Sequence, residues 1–111
     1  MNYIDFEAGN KAYKLRLNTR NVVALEKAIG RNPVAIFFEG NDERIPTVTE
    51  MVAVLHASLQ QYNHGITMND AFDIFDSYIE EHSTMDFIKV IMDIYQASGL
   101  MPKNEEEAKN A

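Results

Sequence analysis

The sequence predicts an α+β fold, mainly α: an N-terminal β-hairpin followed by a compact set of four to five helices. Three observations lead to it. Apolar and polar residues alternate with period two on both sides of Gly9-Asn10. From residue 18 onward the apolar residues recur at helical spacing. Pairs that cap helices (Thr47 with Glu50, Thr67 with Asp70, Ser83 with Asp86) and single glycines (Gly30, Gly65, Gly99) divide that region.

In residues 3–7, Ile4 and Phe6 oppose Asp5 and Glu7. In residues 12–17, Tyr13, Leu15 and Leu17 oppose Lys14 and Arg16. Period two places each set on one face of a strand. Gly9-Asn10 tolerates the positive φ that a tight hairpin turn needs. Such a hairpin is marginal alone, so its apolar face has to pack on the helical region C-terminal to it. Asn18 or Thr19 then caps a helix with Val22, Leu25 and Ile29 on one face, closed by Gly30. Asn32-Pro33 opens a short apolar turn over residues 34–38, and residues 39–44 read as a loop. Thr47 and Glu50 start a long helix carrying Met51, Val52, Leu55, Leu59 and Tyr62. The next has Ala71, Phe72, Phe75, Tyr78 and Ile79 on its apolar face. The last has Phe87, Ile88, Ile91, Met92 and Tyr95, with Pro102 preventing its continuation. Residues 1–101 thus read as one domain. Residues 102–111 read as a disordered acidic tail, dispensable for folding because it has no apolar face. The expected core is Leu15, Leu17, Leu25, Leu55, Leu59, Phe75, Ile88 and Ile91.

The chain has 111 residues, 46% of them hydrophobic, enough for a core without disulfides, and it contains no cysteine. No basic-then-apolar leader is visible at the N-terminus, and no apolar run approaches the ~20 residues that span a bilayer. A protein that stays in solution in the cell that makes it is the expectation. Net charge is −7, unevenly spread. Residues 1–31 hold six basic against three acidic groups, and the remainder four against fourteen. An acidic body repels phosphate backbones, which argues against nucleic-acid binding, and no helix combines a basic face with a helix-turn-helix turn. The asymmetry also hints at head-to-tail assembly of copies.

Local chemistry is sparse. Asp70, Asp73, Asp76 and Glu80 form a drifting acidic stripe that could hold a divalent cation. The simpler reading is a solvated helix face, because hard cations favour converging oxygens in loop geometry. His56, His64 and His82 lack the spacing of a metal pair. There is no phosphate-binding glycine loop, and no serine sits in a G-x-S-x-G setting. The reading is a non-enzyme without catalytic residue, metal or cofactor. The methionines and aromatics are mostly core, although adaptable methionine-rich surfaces suit a binder of apolar helices. Phe37 and Phe38 are the candidate partner-binding residues, since two adjacent phenylalanines in a short turn do not easily both face inward.

One stretch carries a resemblance. Ala12-Tyr13-Lys14-Leu15-Arg16-Leu17 is followed by Asn18-Thr19-Arg20 and a helix reading Val23-Ala24-Leu25-Glu26-Lys27-Ala28-Ile29-Gly30. This resembles the opening of phage tail assembly chaperones of long-tailed phages, prophages and gene transfer agents. There a glycine-turn hairpin leads into a helix ending L-E-x-x-x-G, matched by Leu25, Glu26 and Gly30. Pro46-Thr47-Val48-Thr49-Glu50 and the Ser98-Gly99-Leu100 ending also look like small prophage-encoded chaperones of Gram-positive bacteria. The resemblance implies a cytoplasmic protein of the bacterial host that binds the tape measure protein and keeps it soluble. It further implies support for tail tube protein polymerisation, absence from the mature virion, and in many members a longer form made by ribosomal frameshifting. A tape measure chain exposes long apolar helical stripes, which a small acidic protein could cover. From another class, a small regulatory protein of antitoxin or anti-repressor type would grip one folded partner. A long coiled-coil-rich reading frame next to this one would favour the chaperone.

Overall fold

A computed structural model describes residues 2–38 and 45–102, with the side chain of Phe38 outside that description. The tail from residue 103 and the loop 39–44 also lie outside the described residues.

The chain opens with strands β1 (Ile4–Ala8) and β2 (Lys11–Leu15), paired antiparallel with Ile4 opposite Leu15 and Phe6 opposite Tyr13. Gly9 and Asn10 turn the hairpin, both at positive φ (59° and 68°), the geometry whose twist matches the strands. Helices α1 (Thr19–Ile29), α2 (Ala35–Phe38), α3 (Val48–Leu59), α4 (Met68–Ile79) and α5 (Thr84–Ala97) complete the chain order. The architecture is α+β and mainly α, as the periodicities predict.

Each long helix starts on a side-chain cap. Asn18 caps α1, accepting from the Asn21 amide at 2.8 Å while Asn21 reaches back. Thr47/Glu50, Thr67/Asp70 and Ser83/Asp86 form reciprocal boxes at α3, α4 and α5. Each box satisfies two amides that the first turn leaves without intrahelical partners. At the far end of α1, Gly30 takes the left-handed conformation (φ 78°), and its amide donates to the Glu26 carbonyl.

The core forms around α3. Met51, Val52, Ala53, Val54, Leu55, Ala57, Ser58 and Leu59 are all buried, so this helix has almost no solvent face beyond its first turn. β2, α1, α4 and α5 pack around it, and β1 lies on α4 and α5. Phe6 stacks on Tyr78 (5.0 Å between ring centroids), and Phe87 meets Phe6, Phe75 and Tyr78 edge-on. That aromatic cluster anchors the hairpin to the helices.

Several expectations need correction. β2 ends at Leu15 rather than Leu17 because the chain leaves the sheet there for other partners. The Arg16 amide donates to the Ser58 carbonyl (3.0 Å), and the Leu17 amide donates to Ser98 Oγ (2.9 Å). The Arg16 guanidinium donates to the Ala97 carbonyl at 2.8 Å and the Asn2 carbonyl at 2.6 Å. Leu17 stays fully buried without the ladder. Tyr62 lies beyond α3. The Gln60 side-chain amide donates to the His56 and Ile66 carbonyls, and the backbone and side-chain amides of Asn63 both donate to the Leu59 carbonyl, so the chain folds back on the end of α3 instead of extending it. Seven of the eight expected core residues are buried, while Ile88 is half-buried against the core. Ile36 and Ile94 are also fully buried in the core. On α4, Phe72 and Ile79 are exposed and Ile74 packs inward instead.

Leu55→Ala should lower unfolding free energy by about 2–5 kcal/mol, measured by urea denaturation, because the surrounding elements cannot all close on the void. Gly9→Ala should also destabilise. An added Cβ would sit 3.1 Å from Ser77 Cβ and Oγ, and the left-handed backbone alone disfavours an L residue by about 1–2 kcal/mol. Asn10→Gly should cost little by the same measurement, since glycine adopts that φ freely.

Candidate partner-binding surface

The sequence points to Phe37 and Phe38, and the short helix α2 positions both. Asn32 Oδ1 accepts from the Val34 amide (3.0 Å) and starts the turn. Pro33 is buried beneath it, and its carbonyl accepts a hydrogen bond from the Tyr95 hydroxyl at 3.0 Å. Ile36 points fully inward. Phe37 is half-buried, its ring edge-on to Tyr95 at 5.8 Å. The Phe38 side chain is outside the described residues. Phe37 thus reaches the surface only at the margin of the core.

The corner around α2 is tied down electrostatically. The Arg31 guanidinium donates to Glu50 Oε2 at 2.7 Å, linking the end of α1 to the start of α3. Burial alone would raise the Glu50 pKa, but the Thr47 amide, the Arg31 hydrogen bond and its charge outweigh that, and the carboxyl titrates below its ordinary value. Burial, reinforced by the Glu50 charge and opposed by Arg31, pushes the Tyr95 hydroxyl far above the phenol range, so it stays a protonated donor.

A second surface lies between α1 and α3. Ala24, Leu25 and Ala28 from α1 and Ala53 and Ala57 from α3 line an apolar groove of about 150 Å³, together with Met68 and the polar residues His56, Gln60 and Asn21. This groove is absent from the sequence-based expectations. Its signal is the pair of alanines four residues apart on each helix, which puts two small side chains on one face. Small residues leave room for another element's side chains.

The acidic stripe resolves into separate roles. Asp70 accepts from Thr67 in the α4 cap, and those bonds lower its pKa. Asp73, Asp76 and Glu80 are exposed. His82 stacks on Tyr78 (4.4 Å) and lies 3.9 Å from Asp86, His64 is exposed, and His56 lines the groove. Among the described residues, no three His, Cys, Asp or Glu side chains form a group able to hold a metal ion. No helix among them is long and apolar enough to cross a membrane.

Compared with known families, residues 4–111 match the model of a family of unknown function, DUF6096. The chain belongs to the DUF6096 family. No curated protein and no solved structure matches it. In this DUF6096 chain the geometry offers an apolar groove of small residues, an aromatic corner at α2, and exposed apolar groups on α4. Each is suited to contact with another polypeptide.

The Arg31–Glu50 pair yields a pH prediction. A carboxyl whose folded pKa is depressed adds stability above the ordinary carboxylate pKa, and loses it as pH falls through the depressed value. Glu50→Gln can keep the capping hydrogen bond but not the charge. Its urea midpoint should fall below wild type at pH 7, and the gap should shrink as pH drops beneath the ordinary carboxylate range, closing only below the depressed folded pKa of Glu50.

Proposed function

We propose that this chain is a tail assembly chaperone of the long-tailed phage type. In this reading it binds apolar helical segments of a tape measure protein in the cytoplasm of the bacterial host. It keeps that protein soluble, supports tail tube polymerisation, and is left out of the finished virion. It acts by contact, without catalysis or cofactor.

The groove between α1 and α3 is the observation that carries this reading. A helix with an apolar stripe presents a ridge of side chains, and a channel floored by Ala24, Ala28, Ala53 and Ala57 accepts such a ridge without demanding one sequence. Covering one or two aliphatic side chains gives about 1.5–3 kcal/mol each before the costs of association, so each site is weak. Weak, repeated and reversible contacts suit a chaperone that lines a long chain and is later displaced by the tube. The hairpin-to-helix passage that resembles the chaperones supports the same reading, with Leu25 buried and Gly30 closing α1. Phe37 and Phe38 are assigned to the same partner, at the α2 corner.

Co-expression with the neighbouring tape measure protein tests this. Wild type should raise the partner's soluble yield and co-purify with it. Ala24 and Ala28 are exposed, so Ala28→Glu should leave the melting temperature nearly unchanged while placing a charge in the groove. It should reduce both readouts about tenfold, a typical loss at a binding hot spot. Phe38→Asp should weaken them too. A tape measure protein equally soluble without this chain, with no complex at micromolar concentration, would defeat the proposal. Full activity of Ala28→Glu would remove the groove from it.

A further inference from the structure

We propose that the outer face of α4 docks a second kind of segment: an amphipathic helix whose apolar stripe is flanked by lysine or arginine. This rests on α4 alone and holds whether or not the partner is a tape measure protein.

Met68, Phe72, Phe75 and Ile79 are spaced four, three and four residues apart, the spacing of a helix-pairing seam. The structure splits that seam. Phe75 turns into the core and Met68 is half-buried, but Phe72 is 47% exposed and Ile79 38% exposed. Seven residues apart on one helix, the two lie within about 20° of each other around the axis and about 10 Å apart along it. They form an apolar ledge the length of two helical turns. A half-exposed phenylalanine aligned with an isoleucine is the kind of anchor pair that helix-in-groove recognition uses.

The border of the ledge identifies its occupant. On the solvent side, α4 carries Asn69, Asp73 and Asp76, and its C-cap is Glu80, all exposed. Among the described residues, none of the three carboxylates has an ion-pair partner. A helix covering Phe72 and Ile79 would bring its own flank against that acidic row. Basic side chains there are attracted, while acidic ones are repelled at a distance where salt screens only partly. The same repulsion disfavours a second copy bound through the same face, since a two-fold contact would set Asp76 and Glu80 against their own images. Nucleic acid is repelled for the same reason.

Two synthetic helical peptides test the proposal. Both carry leucine at the seam positions. One has lysine along one flank and the other has glutamate in its place. By fluorescence anisotropy at low salt, the full chain should bind the lysine peptide with micromolar affinity and the glutamate peptide at least about tenfold more weakly. The Phe72→Ser/Ile79→Ser double variant should lose about tenfold for the lysine peptide. Asp76→Lys/Glu80→Lys should reverse the preference. Asp5→Lys/Glu7→Lys changes net charge equally on the exposed side of the hairpin and should leave binding within about twofold. The idea is overturned if the lysine peptide fails to bind at about 100 μM, well above the expected range. It is overturned equally if the serine variant, checked for native melting, binds like wild type. It also falls if the hairpin reversal weakens binding as much as the α4 reversal, because net charge alone would then explain the attraction.

Discussion

A helix without a polar side cannot be left in water, and α3 is such a helix. From Met51 to Leu59 only His56 is other than buried. Every other long element takes its position from the need to cover it. α1, α4 and α5 lie against it, and β2 adds a fourth side. The hairpin, too small to be stable alone, gains its burial from this arrangement through Leu15 and the Phe6 ring. The arrangement also makes surfaces. Where α1 approaches α3 through alanines the contact leaves a groove, and where α4 turns Phe75 and Tyr78 inward its flank leaves Phe72 and Ile79 outside.

Around that packed centre the polar interactions select one arrangement among several that would bury similar area. Caps start each long helix at a defined residue. Arg31 and Glu50 hold α1 to the start of α3, and Tyr95 holds α5 to the α2 corner through the Pro33 carbonyl. Beyond α3, the Gln60 side chain joins the His56 and Ile66 carbonyls, and Asn63 folds back on the Leu59 carbonyl. The caps lie in solvent, but Arg31 with Glu50 and Tyr95 with Pro33 are buried or half-buried, so removing one partner leaves the other desolvated and unmatched.

How much of this was legible in the sequence depends on the range of each interaction. The three boxes, the Gly9-Asn10 turn and Gly30 depend on residues at most four apart, and periodicity plus turn chemistry suffices for them. The end of β2 was not legible. Arg16 and Leu17 keep the alternating pattern, but their hydrogen-bond partners include Ser58 in α3, Ala97 at the end of α5 and Ser98 just after it. Tyr62 continues the spacing of α3 for a similar reason, since nothing in its own register announces that Gln60 will bend back. On α4 the apolar arc is wider than the contact it makes, and only the positions of α3 and the hairpin decide that Ile74 goes in while Phe72 stays out. Of the candidate partner residues, Phe37 leans on Tyr95, a contact between positions 58 apart in the sequence. The groove needs α1 and α3 side by side, so its alanines mean little until the helices are placed.

The seam at Arg16 and Leu17 bears on how the chain reaches this state. It joins the exit of the hairpin to Ala97 and Ser98, 81 positions later. No nascent chain still short of α5 can close it. The hairpin and α1 can form early from local signals, but the edge of the hairpin stays without its lock until α5 and Ser98 have been made. Contacts of such long separation form late and slow the approach to the native state. During that interval the same apolar face that will rest on α3 is open to other chains, and the window closes only when α5 arrives.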